Sequence, residues 1–187
     1  IKITTNYSPR LLLLVLAGLT IISLPFVRLI FPVFYVQTFL YDSSAIVLFP
    51  NGLNFNLVVA ACLLLFIGFI IPLIKQNKFT YSLLIVFIAC GIFVFYLSVL
   101  SYTYIGKEKV VSHNLFDGKS FQWTEIKEVA LEYYVDDTGR YEEYNFISKD
   151  GNSIRIPLNN HFLQEDKSEI YRIARQNNVL FIEQEKK

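Results

Sequence analysis

Few residues in this 187-residue chain are placed to do chemistry. His113 and His161 are its only histidines, and neither has a second His, Cys or carboxylate at the spacing that metal coordination needs. Asp136, Asp137, Glu142 and Glu143 offer oxygen ligands of the kind Ca²⁺ takes, but the EF-hand spacing is absent and Arg140 interrupts them, so a solvated turn is expected. Ser101, Ser112 and Ser120 lack the glycine-flanked elbow of a nucleophile, and there is no Gly-rich phosphate loop. The sequence therefore predicts no catalytic residue, no cofactor and no metal, which sets a hydrolase or a nucleotide enzyme aside. Trp123, the only tryptophan, is expected in a core rather than facing a ligand.

One ionisable residue stands out because of where it falls. Arg28 lies towards the end of a long apolar stretch, where a cation either snorkels to lipid headgroups or pairs with a carboxylate or phosphate. Within the chain the nearest acidic candidate is Asp42. Arg28 and Asp42 are accordingly the candidate lipid or partner contacts.

The elements that would carry these residues come in two compositions. Residues 1–104 hold Lys2, Arg10, Arg28, Lys75 and Lys78 against Asp42 alone, while the other 12 basic and 15 acidic residues follow, so the net charge of +1 divides into +4 and −3. The mean hydropathy of +0.42 is high for a chain that also carries a polar half. An acidic second half argues against a nucleic-acid surface. Both cysteines, Cys62 and Cys90, sit in apolar runs, which excludes a disulfide framework.

Three apolar stretches read as membrane helices, at about 11–30, 57–74 and 79–102, each near the roughly 20 residues that cross a bilayer core. Pro25 and Pro32 allow a kink in the first, and residues 31–56, with aromatic and polar residues interleaved, read as an interfacial segment closed by the turn Pro50-Asn51-Gly52. Only Gln76-Asn77, flanked by Lys75 and Lys78, separates the second and third spans, so they form a tight antiparallel hairpin. Tyr96, Tyr102 and Tyr104 read as an aromatic belt. The first span is too long for a signal peptide and no small-x-small cleavage pattern follows it, so it is expected to be retained. Lys2 and Arg10 on one side of the first span, with Lys75 and Lys78 in the short loop, place those ends in the cytoplasm and the C-terminal head outside.

Residues 106–187 read as a soluble α+β head. Asp117-Gly118 lies between the runs 109–115 and 119–123, Asp136-Asp137-Thr138-Gly139 between 129–135 and 141–147, and Asp150-Gly151-Asn152 before 153–158, which predicts an antiparallel meander. Val129, Leu131, Tyr133 and Val135 share one strand face, and Ile154 and Ile156 another. Asp166 is expected to cap a helix whose Glu169 reaches back and whose apolar stripe is Ile170, Ile173 and Ala174, with Asn177-Asn178 at its end. The apolar 179–182 then packs on the sheet or adds an edge strand.

The strand from about Val110, the Asp-Gly turn, the run Phe121-Gln122-Trp123-Thr124-Glu125-Ile126-Lys127-Glu128-Val129, the strands around Lys149-Asp150-Gly151 and the short helix together resemble the bacterial pleckstrin-homology-like domains attached to membrane helices. The resemblance covers about residues 107–178. It implies an antiparallel sheet or partial barrel closed by one C-terminal helix, with Trp123, Ile126, Phe146 and Ile156 in its structural core and no catalytic residues. It also implies a binding or assembly role beside a membrane anchor.

Two classes of function follow. In the first, a non-enzymatic accessory or scaffold subunit packs its spans on a membrane-protein partner or a second copy, touches membrane lipids, and docks protein or lipid through the head. In the second, the spans self-associate into a small transporter or channel, although the second and third spans carry almost none of the polar residues that such a path requires.

Overall fold

The computed structural model describes residues 8–136 and 139–185. Three helices are long, α1 (Pro9–Phe39), α2 (Gly52–Ile74) and α3 (Lys78–Leu97), with a strand between the first two. All are long and apolar enough to cross a membrane, with mean hydropathies of 2.3, 3.1 and 2.3 over their best windows. Eight strands and one further helix complete the chain: β1 (Ala45–Pro50), β2 (Tyr102–Gly106), β3 (Lys109–His113), β4 (Gly118–Gln122), β5 (Ile126–Asp136), β6 (Gly139–Ser148), β7 (Ser153–Pro157), α4 (Gln164–Gln176) and β8 (Leu180–Glu185). The chain divides into one unit of residues 1–35 and 52–100 and another of residues 36–51 and 101–187.

In the helical unit, α2 and α3 form the expected hairpin. Asn77 caps α3: its side chain accepts from the Thr80 N–H at 2.8 Å, and the Thr80 hydroxyl accepts from the Asn77 N–H at 3.2 Å. Two small residues let the helices approach. A Cβ on Gly68 would lie 2.8 Å from the Phe87 Cβ, and one on Gly91 would lie 2.9 Å from the Leu65 Cγ.

The first helix departs from its expected end at residue 30. It runs through Pro25 and Pro32 to Phe39, about 46 Å at 1.5 Å per residue, longer than a bilayer core. A proline inside an apolar helix removes one backbone bond without ending the helix where the surroundings favour helical backbone. The last turn belongs to the second unit, where Val36 is buried with Leu48 and Tyr104 and the Gln37 side chain donates to the Leu48 carbonyl at 3.0 Å.

The expected interfacial segment at 31–56 is thus divided. Its first part continues α1, and Ala45–Pro50 is a strand paired antiparallel with β2, Pro50 opposite Tyr102 and Leu48 opposite Tyr104. The third span likewise stops at Leu97, because Tyr102 already belongs to β2. The whole α2–α3 hairpin is therefore inserted between two neighbouring strands of the second unit.

That unit holds two four-stranded sheets, ordered β1-β2-β3-β4 and β7-β6-β5-β8. Asp117-Gly118 and Asp150-Gly151-Asn152 lie at the predicted turns, Gly151 with a positive φ of 82°. The expected meander is divided, with β3 and β4 in the first sheet and β5, β6 and β7 in the second, where β8 returns from α4 to pair in parallel with β5. Alternation buries one face of each sheet: Val47, Phe49, Ile105 and Val110 from the first meet Val129, Tyr144, Phe146, Ile154 and Ile156 from the second. Ile170, Ile173 and Ala174 of α4 complete this core.

The helix start also differs from expectation. Leu163 precedes the helix, and Asp166, three residues on, accepts from the Leu163 N–H at 2.8 Å. Glu169 instead pairs with Arg172 within the helix. Asn178 ends it in the left-handed conformation, φ 56°.

Candidate functional site

The junction at which the chain leaves β1 for α2 and returns to β2 is built from short polar side chains. Asn51 uses both ends of its amide there. Its Nδ2 donates to the His113 carbonyl and to Asn114 Oδ1, each at 3.2 Å, while its Oδ1 accepts from the Thr103 hydroxyl at 2.9 Å. The Asn51 N–H donates to the Ser101 carbonyl at 3.3 Å. One residue therefore ties the ends of β1, β2 and β3 together immediately before Gly52 begins α2. Beside it the rings of Tyr102 and His113 stack, with centroids 5.6 Å apart.

Beyond His113 the β3–β4 turn, residues 114–117, carries Phe116 at its tip with 89% of its surface exposed. A cleft of about 310 Å³ opens between this hairpin and β7, lined by Ser112, Asn114, Asp117, Lys119, Ser153 and Arg155. Its cations are partly answered from within, since Lys119 Nζ donates to the Ser153 carbonyl at 3.2 Å.

The two polar residues singled out in the first half lie in different settings. Arg28 is exposed on α1 and has no ion-pair partner among the described residues. It follows Arg10 by eighteen residues, about 27 Å of helix, so the two cations bracket roughly one hydrocarbon thickness. Asp42 shapes the entry to β1: its carboxylate accepts from the Ser44 N–H at 3.1 Å and from the Ser44 hydroxyl at 2.8 Å, and that hydroxyl lies 2.7 Å from the Tyr104 hydroxyl. The Ser44 backbone and side-chain donors hold the Asp42 carboxyl below its ordinary range, with Tyr104 and the Lys109 charge adding to the effect. Asp42 thus has local partners that account for its position.

Trp123, Ile126, Phe146 and Ile156 all lie in the head core. Trp123 Nε1 donates to the Gly106 carbonyl at 2.8 Å, and its ring meets Phe146 edge-on. His161 stacks on Phe49, with centroids 5.3 Å apart. Among the described residues no three His, Cys, Asp or Glu side chains are grouped to hold a metal. The acidic hairpin tip falls partly outside the described residues; Glu142, inside them, pairs with Lys167 at 3.1 Å.

Sequence reasoning missed one polar cluster. Glu132 and Asn145 lie on the face of the second sheet turned away from the core, yet are only 7% and 5% exposed. Asn145 Nδ2 and Gln184 Nε2 both donate to Glu132 Oε1, at 3.2 and 3.3 Å, and Asn145 Oδ1 has no hydrogen-bond partner. The period-2 pattern places Glu132 beside Ala130 on that face, but the third member arrives through parallel pairing from 52 residues away, which no local pattern reveals.

Chemically, these features are hydrogen-bonded clamps between neighbouring strands. No family model, curated protein or solved structure matches the chain.

Proposed function

We propose that the chain is a multi-pass membrane protein that acts by interaction: an accessory or scaffold subunit whose spans pack on a membrane partner, and whose head is a pleckstrin-homology-like module that docks protein or lipid. The observation that carries this reading is the insertion of α2 and α3 between β1 and β2. Paired strands must lie on one side of a membrane, so α2 and α3 cross it as a there-and-back pair. The connectors are short: one residue between β1 and α2, and four between α3 and β2. A head joined to its spans through two adjacent strands is suited to present a docking surface at the bilayer.

The pleckstrin-homology-like reading is supported by two antiparallel-rich sheets followed by a single closing helix, with β8 as an addition to that plan. Membrane lipids are partners on this reading because all three long helices leave large apolar side chains exposed, among them Leu14, Ile22, Leu63, Ile85 and Phe93. The function requires no cofactor and no catalysis.

The head belongs on the extracytoplasmic side, because Arg10, Lys75 and Lys78 sit at the helix ends opposite to it along the chain. Asn152 is exposed in the β6–β7 turn, so N152C on intact cells should react with a membrane-impermeant maleimide; reaction only after lysis would reverse the orientation.

The reading itself is tested by purifying the tagged chain from its native membrane in mild detergent, with mass spectrometry and sizing. A stoichiometric membrane-protein partner is expected. Recovery as a homo-oligomer that makes vesicles permeable would replace the proposal with a self-associating transporter or channel.

A further inference from the structure

We propose that the β3–β4 turn, led by Phe116, is a lipid anchor that dips into the headgroup layer of the bilayer crossed by α2 and α3. The inference rests on those crossings and not on the accessory-subunit reading. Phe116 is the most exposed of the large apolar side chains among the described residues. An aromatic ring held out at the tip of a polar turn faces water at a cost that an apolar partner removes.

The strand register identifies the partner. Pro50, Tyr102, His113 and Gly118 stand side by side across β1, β2, β3 and β4, so they mark one end of the first sheet. At that same end the chain departs for α2, with Gly52 two residues past Pro50, and returns from α3 just before Tyr102. Phe116 lies two residues before Gly118, in the turn that joins β3 to β4 at this end of the sheet. At the usual strand spacing it lies about 12 Å to the side of β1. Asn51 binds the two features directly through its bonds to His113 and Asn114.

The chemistry of this end fits a headgroup layer. The stacked Tyr102 and His113 rings are amphipathic, and Lys119, one residue past Gly118, brings a cation to this end whose Nζ also donates to the Ser153 carbonyl. The opposite end of the sheet presents the charged turn Lys107-Glu108 between β2 and β3.

The test uses the full chain in vesicles of phosphatidylcholine and phosphatidylglycerol, made with ordinary or brominated acyl chains. Two variants each add a second tryptophan to the buried Trp123: F116W at the proposed anchor, and K107W at the other end of the sheet. F116W should add blue-shifted emission that brominated lipid quenches; K107W should add red-shifted emission that it does not. Trp123 emission, unchanged in both, reports that the head is folded. The proposal is overturned if the added F116W emission is no more quenched by brominated lipid than that of K107W. That includes blue-shifted, unquenched emission, which would mean that a protein surface covers the turn. Purification of the protein without a partner would leave this outcome intact.

Discussion

Phe146 gives the sharpest test of the head core, because the protein carries its own reporter against it. The side chain is fully buried, and its ring meets Trp123 edge-on with centroids 5.9 Å apart. Phe146→Ala removes the ring's transfer free energy, leaves a cavity between two sheets that cannot collapse freely, and deletes the contact to Trp123. Together these cost about 4 kcal/mol. For a cooperative unit of about a hundred residues, each kcal/mol corresponds to roughly 4–8 °C, so the melting midpoint should fall by about 15–30 °C. The assay is thermal unfolding of the full chain in mild detergent, followed by Trp123 emission, which should also shift to the red in the folded variant as water gains access to its ring. Phe116→Ala is the matched control: it deletes the same ring from an exposed turn and should change stability by no more than about 0.5 kcal/mol in detergent. Equal melting of the two variants would mean that Phe146 is not packed as the register implies, and the assignment of core faces to both sheets would fall with it.

Two further outcomes follow from groups whose surroundings are specific. Gly91→Val places its Cβ within 2.9 Å of Leu65, so the α2–α3 hairpin must splay, at a cost of about 1–3 kcal/mol, seen as a lower melting midpoint of the helical signal by circular dichroism. Gly18→Val has nothing within 4 Å and should leave that signal unchanged. Burial, with Glu142 and Glu183 nearby, pushes the Tyr144 hydroxyl up to about 12. The folded head therefore holds this proton more tightly than the unfolded chain does, and the stability it contributes is complete below pH 10 and lost between pH 10 and 12. A steeper fall in melting midpoint from pH 9.5 to 11.5 for the natural chain than for Tyr144→Phe is the expected result, and parallel curves would refute it.

Much of the head was legible because its turns and alternation are local. Asp117-Gly118 and Asp150-Gly151 fix hairpins within a few residues, and the stripe Ile170, Ile173, Ala174 repeats with the helix period, so β3 to β7 and α4 lie close to their expected places. What could not be read was whatever depends on a distant partner. Ala45–Pro50 is a short apolar run whose strand character is decided by β2, more than fifty residues later, and the polar residues around it look interfacial when taken alone. The end of α1 was hidden for a related reason: Pro25 and Pro32 are breakers in water, and Val36 and Gln37 have buried contacts only once β1 is in place. Glu132 reads as an ordinary alternating polar residue until β8 brings Gln184 to it.

That non-local pairing makes the inserted hairpin removable. The backbone bond from the Asn51 N–H to the Ser101 carbonyl, 3.3 Å long, brings the cut ends together already, and the cross-strand pair Pro50 and Tyr102 is in hairpin register. Replacing residues 52–100 with Asn-Gly, in a chain that starts at Val36, should close β1 onto β2 with a two-residue turn of the type that suits strand twist. The replacement keeps every member of the head core, from Val47 to Val179, and the Val36–Leu48–Tyr104 cluster outside it. If the second unit folds by its own core, the product is a water-soluble monomer whose Trp123 emission is blue-shifted and whose unfolding is cooperative. Failure to fold, with N152C still labelled normally in the full chain, would show that the removed helices, α1 included, supply structure to the head as well as attaching it.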